Sequence, residues 1–272
     1  MRISFKKMHG LGNDFMVIDT RNQTVSLDTF KIQALGDRRT GVGFDQMVLI
    51  EAPVNDDTDV FMRIRNCNGS IAETCGNALR CIAHLICEET GKNNCRIETL
   101  AGVMTATRQG DDYRIDMGVP KFGWKDIPLS DDMATNPLPL EVGPLTGPTA
   151  VNVGNPHAVF FVEDTNEIDL AYYGPQVETH PFFPDKVNVE IVSVMDENNV
   201  RMRVWERGTG ITGACGTGAA AAMAAAVKRS LIERTANIHL DGGVLSFEWK
   251  AADNRIYMTG PVALSYEGTV EI

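Results

Sequence analysis

Two cysteines in this chain stand where a thiol can do acid–base chemistry. Cys215 lies in "GACGTGAAAAMAAA" (213–226) and Cys75 in "ETCGNALRCIA" (73–83). Each precedes glycine and a helix-forming run, so each thiol is expected at a helix N-terminus. Unpaired N–H groups and the positive end of the helix dipole lower a thiol pKa from about 8.5. The same donors can seat a carboxylate, and glycine lets a ligand come close to the backbone. A thiolate on one face of an α-carbon can take its proton while a thiol on the opposite face returns one. That exchange inverts a stereocentre and needs two groups of matched pKa. One buried cysteine is usually an inert apolar residue. Two at equivalent positions argue for function.

The equivalence comes from an internal duplication. Residues 62–77, "MRIRNCNGSIAETCGN", overlie 202–217, "MRVWERGTGITGACGT", at an offset of 140. Cys75 falls on Cys215, Ile71 on Ile211 and Gly76 on Gly216. Asp45 falls on Asp185, and Asn13 matches Asn155 at an offset of 142. Units this long are not solenoid repeats, and two pseudo-symmetric domains are expected: 1–117 with 263–272, and 118–262. Each copy shows β-type runs, one helix (76–90 and 216–230) and further strands. The pattern predicts an α/β (α+β) fold in which each domain is a curved, mostly antiparallel sheet wrapped around a central helix, with the active site in the cleft between them. Further helices are expected at 28–38 and 168–178. The alanine helix has no polar face over 218–227, so burial is expected. The stretch 118–153 carries six prolines and reads as an irregular crossing between domains.

The bulk composition narrows the classes. The chain has 272 residues, a formal net charge of −11 and 43% hydrophobic residues. An acidic chain repels phosphate backbones, so nucleic acid is an improbable partner. The start has no secretory pattern, and the alanine block is too short to span a bilayer. A cytoplasmic protein without a membrane partner is expected. The cysteines include no CxxC pair, so no metal site is expected.

The ordered segments "KMHGLGNDFMVID" (7–19), "GVGFDQMVLIE" (41–51), "RIRNCNGSIAETCGNALRC" (63–81), "NVGNPHAVFFVED" (152–164), "FPDKVNVEIV" (183–192) and "WERGTGITGACGTGAAAA" (205–222) resemble the diaminopimelate epimerase family over nearly the whole chain. The resemblance implies a two-cysteine isomerase that interconverts LL- and meso-diaminopimelate, a lysine and peptidoglycan precursor. It implies no pyridoxal phosphate or other cofactor. Cys75 and Cys215 match the catalytic pair. Gly76, Asn77, Gly216 and Thr217 match the donors to the reacting carboxylate. Asn13, Asn66, Asn155, Asn188, Glu206 and Arg207 match the residues that hold the rest of the substrate. Arg207 can clamp a distal carboxylate bidentately, and Glu206 can meet an ammonium. Gln46 and His157 fall in matching segments. Gln46 could serve only to orient a loop, and His157 could be a satisfied, half-buried histidine. The resemblance also implies a homodimer, with Tyr266 near its contact, and domain closure that excludes water.

The chain departs from the family pattern at four positions. Asn68 replaces an aspartate, Ala78 a glycine, and Ile71 and Ile211 each a glutamate. The two isoleucines are a matched pair, one per copy. They leave open a divergent racemase acting on a proline-, glutamate- or histidine-type substrate. A non-catalytic anion clamp and a redox dithiol are the other readings of the same two helix ends.

Overall fold

The structure is a computed structural model and describes residues 2–271. The chain forms two compact units, residues 1–115 with 260–272, and residues 116–259. In the first unit the elements run β1 (Arg2–Gly10), β2 (Asn13–Asp19), α1 (Thr29–Gly36), β3 (Gln46–Glu51), β4 (Val60–Asn66), β5 (Ile71–Ala72), α2 (Gly76–Thr90), β6 (Asn94–Thr99), β7 (Gly102–Gln109) and β8 (Asp112–Gly118). Then come β9 (Glu141–Val142), β10 (Leu145–Thr146), β11 (Thr149–Asn152), β12 (Pro156–Phe161), α3 (Leu170–Glu178), β13 (Asn188–Asp196), β14 (Asn199–Glu206), β15 (Gly210–Thr212), α4 (Gly216–Lys228), β16 (Thr235–Leu240), β17 (Gly243–Trp249) and β18 (Ile256–Gly260). The last strand, β19 (Ala263–Glu271), returns to the first unit and pairs with β1.

The internal repeat is visible in the pairing. In the first unit β1 and β2 are antiparallel, β2 and β3 parallel, β3 and β4 antiparallel, β4 and β6 parallel, and β6, β7 and β8 antiparallel. The second unit repeats the order with β11, β12, β13, β14, β16, β17 and β18. Register agrees as well, since Phe15 pairs with Gln46 and His157 with Asn188. The expected mixed, mainly antiparallel sheet around a central helix is therefore found in each copy.

Alanine explains how α4 fits. It packs against β11, β12, β13, β14, β16 and β17, and Ala219 through Ala226, with Met223 among them, are fully buried. Methyl side chains let strands approach from several sides, and alanine carries the best helix propensity. Helix α2 ends at Gly91, whose left-handed φ of 69° lets its N–H close on the Cys87 carbonyl at 2.9 Å. Helices α1 and α3 occupy the two shorter predicted segments.

One expectation is corrected. Residues 118–153 are not merely a crossing. Ile127, Leu129, Leu138, Leu140 and Leu145 are buried in the second unit's core with Phe160, Val189 and Ile191, and β11 joins its sheet. The prolines forbid a long ladder, but the leucines between them still bury apolar area.

All six cysteines are free thiols. Burial pushes the Cys81 thiol up to about 12 and raises that of Cys95 as well. A group whose folded pKa exceeds its unfolded value stabilises fully below the unfolded value and loses that contribution as pH rises through the folded one. The melting temperature is expected to fall as pH rises from about 9 to 11. Thermal melts of Cys95→Ala across that range should fall less steeply than those of the parent.

Candidate active site

In the first unit the hairpin of β4 and β5 delivers the chain to Cys75, an extended residue (φ −152°, ψ 118°) that caps α2. The first N–H groups of any helix lack intrahelical partners, and Gly76 and Asn77 supply them here. Asn13, at the start of β2, accepts on Oδ1 from the Asn77 side-chain amide at 3.1 Å, and the same oxygen lies 3.7 Å from Cys75 Sγ. Its own amide donates to Asp45 at 3.0 Å. Asp45 in turn accepts from Arg38 at 2.8 Å and from the Asp14 backbone N–H at 3.1 Å. Burial works against the Asp14 carboxylate, but hydrogen bonds from Arg38 and Lys7 outweigh it and hold its pKa at about 2. Gln46 and Asn66 stand opposite each other on β3 and β4. The Gln46 amide donates to Asn66 Oδ1 at 2.9 Å, and Asn66 donates to Ser70 at 2.9 Å. Gln46 Oε1 is buried without a hydrogen-bond partner among the described residues.

Beneath Cys75 lies a residue that sequence reasoning passed over. Arg80 is fully buried on α2 and donates to Asn77 Oδ1 at 2.8 Å and to the Pro261 carbonyl at 3.2 Å. A Cβ on Gly10 would stand 2.7 Å from its guanidinium, so β1 needs glycine there. The signal was an arginine inside the otherwise apolar run "ALRCIA".

In the second unit β14 and β15 form the matching hairpin and Cys215 caps α4. Its sulfur accepts from the Gly218 N–H at 3.3 Å and lies 3.5 Å from the Thr217 hydroxyl. The expectation of a lowered thiol pKa is corrected at this position. Burial comes first and the Glu206 charge second, with Glu190 adding to them. Together they outweigh the Thr217 and Gly218 donors and push the Cys215 thiol well above the ordinary value. A helix start lowers a thiol pKa only while the thiol stays hydrated or faces a cation.

The remaining predicted residues of this unit lie around the start of β12 (Asn155, His157), at the start of β13 (Asn188) and at the end of β14 (Glu206, Arg207). Asn188 is buried, donates to the Pro156 carbonyl at 2.9 Å and accepts the Arg207 N–H at 2.9 Å. Both ends of its amide are thus engaged with backbone, and it latches β12 to the turn that carries Arg207. Arg207 itself is exposed, with Nη1 on the Asp185 carbonyl at 3.0 Å. Glu206 accepts from the Thr212 hydroxyl. His157 is fully buried rather than half-buried. Its Nε2 lies 2.7 Å from Asn155 Oδ1 and its Nδ1 2.7 Å from Glu190 Oε1. Glu190 is the second residue that sequence reasoning missed, although a glutamate inside the strand run "VNVEIV" was a visible irregularity.

Ile71 and Ile211 occupy β5 and β15, opposite Arg65 and Trp205, and are 57% and 45% exposed. Neither is core. Tyr266 on β19 is exposed and meets Phe5 edge-on at 5.9 Å. Among the described residues no three His, Cys, Asp or Glu side chains gather as a metal site, and no helix is long and apolar enough to cross a membrane.

Solved structures share this fold. A hydroxyproline epimerase from Agrobacterium vitis superposes with a TM-score of 0.71 over 99% of this chain and 91% of that one, at 13% identity. A probable proline racemase from Agrobacterium radiobacter gives 0.70 over 99% and 93%, at 14% identity. At such identities the likeness establishes a common duplicated fold. Sequence narrows it further. Residues 5–123 and 149–265 match the model of the diaminopimelate epimerase family. Proteins named diaminopimelate epimerase are 46% identical over 97% of this chain and 91% of the relative in Rhodospirillum centenum, and 46% identical over 100% and 98% in Erythrobacter litoralis. The chain belongs to the diaminopimelate epimerase family.

Proposed function

We propose that this protein interconverts LL- and meso-diaminopimelate by two-base proton transfer between Cys75 and Cys215. One observation carries the chemistry: each copy of the fold places a cysteine at the extended N-cap of its central helix. The near full-length match to diaminopimelate epimerases supports the substrate.

In each direction one sulfur, as thiolate, takes the α-hydrogen as a proton, and the bonding pair stays on the α-carbon and its carboxylate. The other sulfur, as thiol, gives its proton to the opposite face. The charge then resides on the second sulfur, and the configuration is inverted. Gly76, Asn77, Gly216 and Thr217 would offer donors to the reacting carboxylate, whose negative charge grows as the α-proton leaves. Arg207 would bind the distal carboxylate, Glu206 the distal ammonium, and Asn13, Gln46, Asn66, Asn155 and Asn188 the remaining polar atoms. We take the enzyme to act in the cytoplasm as a homodimer, with Tyr266 near the contact.

The named distal residues are intact despite the exposed Ile71 and Ile211, and the near full-length match supports diaminopimelate over a mono-amino-acid substrate. Incubation with LL-diaminopimelate, proline, glutamate and histidine separates the readings. Formation of meso-diaminopimelate alone supports the proposal. Racemisation of a mono-amino acid without it contradicts the proposal.

Asn13 supplies a further check. Removing its anchor by Asp45→Ala should raise KM roughly tenfold, the effect of about one hydrogen bond, with a smaller change in kcat. Asp45→Asn, which keeps an acceptor, should restore most of it. Steady-state kinetics of the two variants decide.

A further inference from the structure

The turn that carries Arg207 rests on a buried acid. Glu178, the last residue of α3, is buried. Its Oε2 accepts from the Trp205 indole N–H at 2.7 Å, and its Oε1 from the Gly208 backbone N–H at 3.0 Å. Trp205 and Gly208 bracket Glu206 and Arg207 in the chain. One carboxylate therefore holds the residues immediately before and after the two that would meet the distal end of the substrate. Helix α3 is shaped to allow this. A Cβ on Gly174, one turn before Glu178, would stand 2.7 Å from the Trp205 ring, so glycine there lets the indole lie against the helix. Gly208 itself has the left-handed φ of 74° that glycine adopts without strain. Lys186 Nζ lies 3.4 Å from Glu178 Oε1. Burial works against the charged carboxylate, but hydrogen bonds from Trp205, Gly208 and Lys186 outweigh it and hold its pKa below the ordinary value. Glu178 is thus an anion at neutral pH, and hydrogen bonds to a charged acceptor are stronger than neutral ones.

The first unit holds the matching turn by other means. The offset of 140 puts Arg65, Cys67 and Asn68 where Trp205, Arg207 and Gly208 stand. There the Cys67 N–H reaches the Asp45 carbonyl at 3.0 Å, and Arg65 donates to the Gly69 carbonyl at 2.9 Å. Backbone and the hairpin's own arginine are enough to close the turn. Burying a carboxylate costs desolvation, and Glu178 bears that cost in the copy whose turn presents an arginine.

We infer that Glu178 is a positioning residue for the distal end of the substrate: by holding Trp205 and Gly208 it fixes the turn that aims Arg207 at the distal carboxylate. The inference rests on Arg207 being the ligand of that carboxylate. Arg207 is exposed and long, with Nη1 on the Asp185 carbonyl at 3.0 Å and its own N–H on Asn188 Oδ1 at 2.9 Å. A fixed backbone narrows the positions its guanidinium can reach, so less freedom is lost when the substrate binds.

The test uses the full-length protein and two readouts. Glu178→Met keeps the length of the side chain and removes both acceptors, whereas Glu178→Gln keeps one. In Glu178→Met, KM for diaminopimelate is expected to rise about tenfold, the effect of about one charge-assisted hydrogen bond, with kcat within about threefold of the parent. Such a split marks lost binding remote from the reacting carbon. Glu178→Gln should recover KM to within about threefold. Hydrogen–deuterium exchange of the peptide spanning 205–210, read by mass spectrometry without substrate, should be roughly tenfold faster in Glu178→Met. Unchanged exchange of this peptide, or a loss confined to kcat, in a Glu178→Met protein with native melting overturns the inference. If Glu178→Met does not fold, Glu178→Asp, which keeps the charge but withdraws it by one methylene, is read the same way. Exchange needs no turnover. Faster exchange in the variant of a parent that leaves diaminopimelate unchanged would count against the proposed reaction, and an active parent whose turn does not loosen on substitution would count against Glu178 alone.

Discussion

Cys215→Ser and Cys75→Ser are each expected to slow epimerisation by about a thousandfold or more. A serine hydroxyl has nearly the shape of the thiol but ionises far less readily, so it can neither take the α-proton at neutral pH nor match the acidity of a thiol partner. The loss should appear in kcat and not as unfolding. Serine is among the best N-cap residues, and in Cys215→Ser the hydroxyl can still accept the Gly218 N–H that now reaches sulfur at 3.3 Å. Melting temperatures of both variants should stay within a few degrees of the parent. Steady-state rates in both directions, with melting curves, check this. A loss of less than tenfold in either folded variant contradicts the assignment of that cysteine.

Arg80→Ala should produce the largest loss of stability, about 3–5 kcal/mol. The substitution leaves a cavity in the middle of α2 and removes the donor to Asn77 Oδ1, on a buried residue, and to the carbonyl of Pro261, an exposed one. For a protein of this size that corresponds to a fall of roughly 10 °C in melting temperature. Asn77 also holds Asn13 at 3.1 Å, so the variant should lose activity below its melting point too. A calorimetric scan with activity measured at low temperature separates the two effects. A change of under a degree would mean that the guanidinium is not the prop of this helix start.

Much of the architecture is legible in the sequence because it is written twice. A near-constant offset aligns two cysteines, two glycine turns and two strand sets, and hydrophobic periodicity then places α2 and α4 to within two residues. The alanine run is legible as a buried helix because it has no polar face at all. What escapes has a common cause. The leucines of 127–145 lack any regular period, because the prolines break every ladder before a period can develop, and only tertiary packing shows them to be core. Arg80 and Glu190 are single charges in apolar segments. Local pattern reads such residues as interruptions, and each has a partner far off in sequence, Pro261 for Arg80 at 181 residues and His157 for Glu190 at 33. The thiol of Cys215 fails differently. Its helix-start donors are where the sequence places them, but burial and two carboxylates act against them, and neither is visible until the strands are assembled.

The central claim is that two sulfurs act on opposite faces of one carbon, and solvent deuterium tests it most directly. LL-diaminopimelate is converted in deuterated water and stopped before a tenth has reacted, and both isomers are examined for α-deuterium. Two-base transfer predicts deuterium in the meso product at the inverted centre and almost none in the recovered LL substrate, because the donor that completes the reaction carries a solvent proton while the base holds the substrate's own. Equal early labelling of substrate and product, the signature of one base serving both faces, would contradict it.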